Sequence, residues 1–327
     1  MTSENTPMPQ LQLGPNGPMI GVQGLGCMGM SEFYGATDVA QSRATLERAL
    51  DLGVTMFDTA DMYGVGANEE FLAPFITANR DKVIIATKFG YTRTPDNPHD
   101  WSINNRPEFI RAAVDRSLKR LGVEVIDLYY MHRRIETVPL EESIGAMADL
   151  VKAGKVKWLG LSAVSAAELR VAHAIHPIAA LQSEWSIFTR DIEREIVPAA
   201  AELGVTIVPY SPLGRGLLTG QGVSASLSGD DARQNFPRFS AENLESNMKL
   251  VAGIEDIAAS QGVTPAQLAL AWLYAQSDRL KAKTVPIPGT RKPERLMENV
   301  AAATIHLTDK EMDRLEPLAA AVQGVAV

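Results

Sequence analysis

The chain has 327 residues, 46% of them hydrophobic and 21% charged, enough for a sizeable core and incompatible with wholesale disorder. Thirty-one Lys and Arg stand against 39 Asp and Glu, a net charge of −8 without any basic block, which argues against nucleic acid and anionic membrane surfaces as partners. Cys27 is the lone cysteine, so an internal disulfide and CxxC chemistry are excluded and a reducing, cytoplasmic compartment is expected.

The polar N-terminus MTSENTPMPQ carries no apolar export segment, and the longest apolar run, LALAWLYA at 268–275, falls far short of the roughly 18 residues that span a bilayer. Next, LQLGPNGPMI has turn chemistry at its centre and predicts a short N-terminal β-hairpin. From there short apolar runs alternate with longer amphipathic ones. The runs predict eight strands, at 19–26, 54–58, 82–88, 125–132, 156–162, 178–183, 205–211 and 283–288. Helices are predicted near 39–52, 67–77, 107–121, 139–153, 165–174, 191–203, 246–261, 264–276 and 292–302, with an extra C-terminal one at 308–318. The clearest is 107–121, where Pro107 suits the first turn and Ile110, Ala113, Val114, Ser117, Leu118 and Leu121 recur at helical spacing.

Strands that are apolar on nearly every residue need cover on both faces, which points to a parallel sheet packed by helices. Eight such units without a break in composition predict an α/β chain folded as a closed (β/α)8 TIM barrel, one domain over 1–327. One segment breaks the rhythm: 214–245 is rich in Gly and Ser and predicts a long functional loop.

In such a barrel the chemistry sits where strands end, so the polar residue at each strand exit is a candidate. That collects Asp58, Lys88, His132, Ser162, Gln182, Tyr210 and Ser211, with Tyr63 just past the second strand. A phenol titrates near pH 10 and is a poor proton donor near neutrality, but an ammonium beside it favours the phenolate and lowers that value. Lys88 supplies the ammonium, Asp58 a carboxylate to keep it charged, and His132 a hydrogen bond to a substrate oxygen. Singly each has a bland reading: a turn cap for Asp58, a solvated end for Lys88, a boundary residue for His132, a loop aromatic for Tyr63. Their occurrence in consecutive units favours a site. Asp61 is read as a local turn cap.

Other patterns carry less. GLGCMG at 24–29 fits the dinucleotide fingerprint, but SEFYGATD follows where a helix should open, and the next strand-end acid comes too late. His173 and His176 share a helix face without a third ligand, so no metal is expected. Met30, Tyr34, Trp101 and Trp185 are candidates to wall an apolar substrate pocket, core packing being the alternative for the aromatics.

The stretches VTMFDTADMYG, KVIIATKFG, SLKRLGVEVIDLYYMH, GKVKWLGLS, LQSEWSIFTR, VPYSPLGRGLLTG and VPIPGTRKPERLMENV together resemble the aldo-keto reductases over about residues 10–318. The likeness is to the microbial, plant and fungal branch that includes pyridoxal and perakine reductases. It implies a (β/α)8 barrel that uses NADPH to reduce aldehydes or ketones, with a small-molecule carbonyl substrate. The family tetrad falls on Asp58, Tyr63, Lys88 and His132. Ser162 and Gln182 fall on contacts to the nicotinamide carboxamide and Tyr210 on the ring stacked against the nicotinamide. Ser211, Leu213, Gly214 and Arg215 fall on the pyrophosphate site, Thr290, Arg291 and Arg295 on the 2′-phosphate clamp, and Glu298 and Asn299 near the adenine. Two positions depart from many relatives: Ala163 stands for Asn and Gly289 for Lys, shifting the phosphate contacts onto Arg291, Arg295 and Lys292. A second class is a cofactor-holding regulatory or sensor subunit with little turnover. A third is a Schiff-base barrel on Lys88, which a neighbouring carboxylate disfavours by keeping the amine charged.

Overall fold

The computed structural model describes residues 7–35, 37–220 and 231–325. Strands β1 (Gln10–Gln12) and β2 (Met19–Gly21) form the expected antiparallel hairpin. Seven parallel strands then line up in chain order within one sheet: β3 (Leu25–Gly26), β4 (Met56–Asp58), β5 (Ile84–Phe89), β6 (Ile126–Met131), β7 (Val156–Ser162), β8 (Ile178–Glu184) and β9 (Thr206–Tyr210).

The run 283–288 supplies the eighth stave. Ile207 N donates to Lys283 O, Val285 N to Ile207 O and Ile287 N to Pro209 O, while Gly24 N, beside β3, donates to Pro286 O. Pro286 and Pro288 have no N–H to give, so this stave pairs irregularly, yet it closes the sheet between β9 and β3 as a (β/α)8 barrel. The expected strand at 19–26 is in fact two pieces. Its first half belongs to the hairpin and its second is a barrel stave, with residues 22–24 turning between them.

Around the barrel run α1 (Val39–Asp51), α2 (Ala67–Ala78), α3 (Pro107–Leu121), α4 (Leu140–Lys152), α5 (Ala166–Ile175), α6 (Ile196–Leu203), α7 (Ala241–Gln261), α8 (Pro265–Arg279) and α9 (Pro293–Ala301), followed by the extra C-terminal α10 (Asp309–Ala320). Their starts are written locally: Ser165 with Glu168, Thr264 with Gln267 and Thr308 with Glu311 cap α5, α8 and α10 reciprocally. Ser240 accepts a hydrogen bond from Asn243 N and starts α7 earlier than the apolar periodicity suggested, so the long loop ends before 245. Its residues 221–230 lie outside the described residues, and its described parts form short 3-10 turns. The expected helix at 191–203 starts late because Asp191–Glu193 is a 3-10 turn.

Two apolar layers result. Inside the barrel, Met56, Ala86, Leu128, Tyr130, Ala180, Val208 and Val285 pack together, with Leu13 and Ile20 of the hairpin region closing the end where the strands begin. Gly160 makes the inner layer possible, since a Cβ there would lie 2.4 Å from Cδ1 of Tyr130. The outward side chains of the same strands, Phe57, Ile85, Phe89, Tyr129, Met131 and Leu161 among them, pack against the helices.

Asp127 is the polar exception on the outer face of β6. Fully buried, it accepts from Arg80 at 2.7 and 3.0 Å, from Lys157 Nζ at 2.8 Å and from Ile85 N at 3.0 Å. It therefore ties the end of α2 to β5, β6 and β7. Asp127→Ala strands these donors and is expected to cost on the order of 3 kcal/mol, the low end for a broken buried pair because Arg80 and Lys157 keep partial access to water. Urea unfolding checks this: the midpoint should fall while the slope stays constant.

Candidate active site

Side chains alternate across a strand, and in-register parallel neighbours carry the alternation around the barrel. Asp58, Lys88, Ser162, Gln182 and Tyr210 share the inward parity of Met56, Ala86, Gly160, Ala180 and Val208, one step nearer the strand ends. They replace apolar residues where the barrel opens, because polar groups that are costly in the packed layer gain partners at its mouth. His132 follows the last residue of β6 and Tyr63 opens the 3-10 turn Tyr63–Gly66 after β4.

The four expected residues meet. Lys88 is completely buried, and its ammonium donates to Asp58 Oδ1 at 2.5 Å, to Thr59 O at 2.7 Å and to the Tyr63 hydroxyl at 3.4 Å. Asp58 Oδ2 accepts from Gln182 Nε2 at 2.8 Å. The rings of Tyr63 and His132 stand edge to face with centroids 6.0 Å apart. An ammonium has three hydrogens and no lone pair, so all three are committed and Tyr63 must be the acceptor in their contact. The phenolic hydrogen is thereby left to point elsewhere, and Tyr63, Asp58 and His132 all line the cavity.

Burial sets the protonation states. It pushes the Tyr63 phenol above its ordinary value, with Lys88 pulling the other way, so the expected depression toward a phenolate does not occur. Burial opposes charge on Lys88, but the Asp58 carboxylate overcomes it and holds the ammonium above its ordinary range. His132 is held well below the usual imidazole range by burial and by the positive charges of Lys88 and Arg133, so it is neutral. Its Nδ1 is buried with no partner among the described residues. Asp61 lies outside the cavity lining. Burial, with Glu69 adding to it, raises its carboxyl to about 8.

The cavity, about 710 Å³, runs from this cluster across the barrel mouth. Ser162, Gln182, Tyr210, Ser211, Leu213 and Arg215 line it, as do Thr290 and Arg291 ahead of α9 and Arg295, Glu298 and Asn299 within it. Gly214 is buried and does not reach the lining. Arg291 is tied to the loop after β3, donating to Tyr34 O at 3.1 Å, Gly35 O at 3.3 Å and Thr37 Oγ1 at 3.2 Å. Met30, Tyr34 and Trp101 line the cavity. Trp185 does not: it is fully buried in the core between strands and helices, its Nε1 donating to Glu193 at 2.9 Å, because it follows Glu184 at the end of β8 on the outward parity.

Among the lining residues that the sequence reading did not single out are Arg133 and Tyr91. Arg133 donates to Ser162 Oγ at 3.0 Å and its guanidinium lies 6.0 Å from the centre of the Tyr210 ring. Following His132, it would face outward by strand parity, but β6 has already ended at Met131 and the rule no longer applies. The residue after Ser162, Ala163, has φ +51. Tyr91, in the loop after β5, sets its ring perpendicular to His132 at 5.2 Å. Its position just past Gly90 at the end of β5 was the available signal. Elsewhere, no group of three or more His, Cys, Asp or Glu among the described residues is gathered for a metal. Nor is any helix among them long and apolar enough to cross a membrane.

Known proteins share this arrangement of the chain. The model of the Aldo/keto reductase family matches residues 24–320. A protein described as probable aldo-keto reductase 1 of Glycine max is 44% identical over 306 residues, covering 92% of this chain and 86% of its own length. Among solved structures, the glycerol dehydrogenase of Gluconobacter oxydans superposes with a TM-score of 0.85 at 28% identity, covering 95% of each chain. A thermostable aldo-keto reductase in complex with the inhibitor epalrestat superposes with a TM-score of 0.74 at 30% identity, covering 95% of this chain and all of the other. The family match over nearly the whole barrel, with a relative this similar, shows that the chain belongs to the aldo/keto reductase family.

Proposed function

We propose that the protein reduces aldehydes or ketones to alcohols with NADPH, Tyr63 giving the proton. The observation that carries this reading is the Lys88 ammonium, which occupies the Tyr63 oxygen and leaves its hydrogen for the cavity. Family membership supports the coarser statement, an oxidoreductase of carbonyl compounds.

The residues present fit a dinucleotide phosphate. The cavity lining carries Thr290, Lys292 and Arg295 around the N-terminus of α9, and Arg215 as well as the tetrad residues Asp58, Tyr63 and His132. Cations beside a helix start favour phosphate. Tyr210 offers a ring face, and Ser162 and Gln182 offer polar groups for a carboxamide. Bound there, a reduced nicotinamide would supply hydride to the carbonyl carbon. His132, neutral, holds the carbonyl oxygen by a ring N–H without adding net charge. Tyr63 transfers its hydroxyl proton to that oxygen as charge develops on it. Lys88 then stabilises the phenolate left behind, and Asp58 keeps Lys88 charged and in place.

The 2′-phosphate contact is assigned to Arg291 and Arg295, with Thr290 and Lys292 beside them, all on the cavity lining; Arg291 also donates to Tyr34 O, Gly35 O and Thr37 Oγ1. Arg295→Ala should weaken NADPH binding about 10- to 100-fold, the range for losing a charge-assisted contact, and leave NADH within a few-fold. Fluorescence titration with both nucleotides reads this; equal losses for the two would remove Arg295 from the clamp. Tyr63→Phe should lower turnover at least about 100-fold with NADPH affinity nearly unchanged. Following cofactor absorbance on adding an aldehyde panel checks it, and retention of the parental rate would refute the donor assignment. Since His132 stays neutral well below its ordinary range, kcat/KM for reduction should show no inflection near pH 6.5, about where a free imidazole titrates. An inflection there that vanishes in His132→Gln would mean that the imidazole charges during the working range.

A further inference from the structure

We infer that Glu32 and Arg93 are positioning residues that hold Tyr63 in register with Lys88 and His132. The inference rests on Tyr63 being the proton donor. Arg93 stands in the loop after β5 with its side chain 4% exposed. Its Nε donates to Pro98 O at 2.7 Å; one terminal nitrogen donates to Glu32 Oε2 at 3.0 Å and to Met62 O at 2.8 Å, and the other to Glu32 Oε1 at 2.7 Å. Glu32 Oε2 also accepts from Gly64 N at 2.8 Å. Met62 and Gly64 are the neighbours of Tyr63 in the chain, so one ion pair grips the backbone on both sides of the phenol.

That grip answers a local strain. After Tyr63 the backbone is left-handed at three successive residues, Gly64 at φ +56, Val65 at φ +54 and Gly66 at φ +96. A β-branched valine there is strained and persists only where its surroundings impose it. Lys88 cannot impose it, because its 3.4 Å contact is the longest of its three. An exposed ion pair would contribute little, but a buried guanidinium with four named acceptor contacts is a fixed fork. The same guanidinium lies 4.4 Å from the centre of the Trp101 ring. Trp101 in turn touches Phe33 and Tyr91, which touch Tyr63 and His132, so the pair steadies the aromatic wall around the donor as well.

The test uses the full chain with saturating NADPH and an aldehyde. In Arg93→Met and Glu32→Gln, kcat should fall about 10- to 100-fold, as a displaced donor does, while NADPH affinity stays within about twofold. The solvent deuterium isotope effect on kcat should rise as proton transfer becomes slower, and Arg93→Lys should recover part of the rate. A raised KM at unchanged kcat, or a loss of rate that follows loss of folded protein by circular dichroism, would overturn the inference. In a Tyr63→Phe background the substitutions should leave the residual rate unaltered; the same fold-loss in both backgrounds would mean that they act elsewhere. If Tyr63→Phe alone keeps the parental rate, the donor assignment fails and this inference with it, a result that single variant identifies without reference to Arg93.

Discussion

The site depends on one buried ammonium. Lys88 has no exposed surface, and a cation in that position persists only with enough acceptors to replace its water. Asp58 supplies the opposite charge, Thr59 a carbonyl and Tyr63 a hydroxyl oxygen. Each partner is there because of the barrel. Asp58 pairs across the ladder with Ala86, one inward step below Lys88, so the lysine finds a carboxylate diagonally beside it. Tyr130 fills the space beneath, its ring centre 5.9 Å from the ammonium, and Gly160 makes room for that ring. Gln182, from the far side of the barrel, holds the second oxygen of Asp58. The direction of one phenolic hydrogen thus follows from an arrangement that spans strands β4 to β8.

Electrostatics then sorts the groups into complementary states. Burial disfavours charge on all of them, yet Lys88 and Asp58 satisfy each other, while Tyr63 and His132 have no counter-ion of their own and stay neutral. Two neutral hydrogen-bond donors next to a cation form a site that receives growing negative charge on an oxygen without being strongly anion-binding at rest. The longer-range field has the opposite distribution from the chain as a whole. The protein carries −8, whereas the cavity lining includes Arg133, Arg215, Arg291, Lys292 and Arg295, and Arg233 paired with Asp231, against Glu298 and the paired Asp58. Such a concave cationic lining on an acidic protein concentrates anionic ligands at the mouth.

How much of this could be read from letters depended on where each residue sat. Strand-borne groups were legible because a two-residue period and the rule that barrels open at strand ends suffice: Asp58, Lys88, Ser162, Gln182 and Tyr210 all fall on one parity. For Trp185 a cavity wall and core packing were both open, and one residue past a strand end on the outward side it takes the core place. Where strands stop, periodicity stops with them, and Arg133 and Tyr91 enter the cavity by loop geometry that no spacing encodes. The eighth stave was legible as an apolar run, while its irregular pairing follows from two prolines. The phenol's protonation was misread because proximity to an ammonium was weighed without the depth of burial, which is a three-dimensional quantity.

The division between strand and loop also governs what can vary. Asp58 and Gln182 are laddered on both sides, and Lys88 is laddered to β6 while its carbonyl accepts from Asp61 N, so their mutual distances are fixed by the barrel. Tyr63, the proposed proton donor, stands instead on a turn with three left-handed residues behind it. Its placement therefore relies on neighbouring loops, those carrying Glu32 and Arg93, rather than on backbone pairing. The wall facing it, Phe33, Tyr91 and Trp101, comes from those same loops. On the proposed reading, altering that wall to change substrate preference would also act on the support of Tyr63, which would couple selectivity to rate more tightly than the fixed floor of strand residues alone requires.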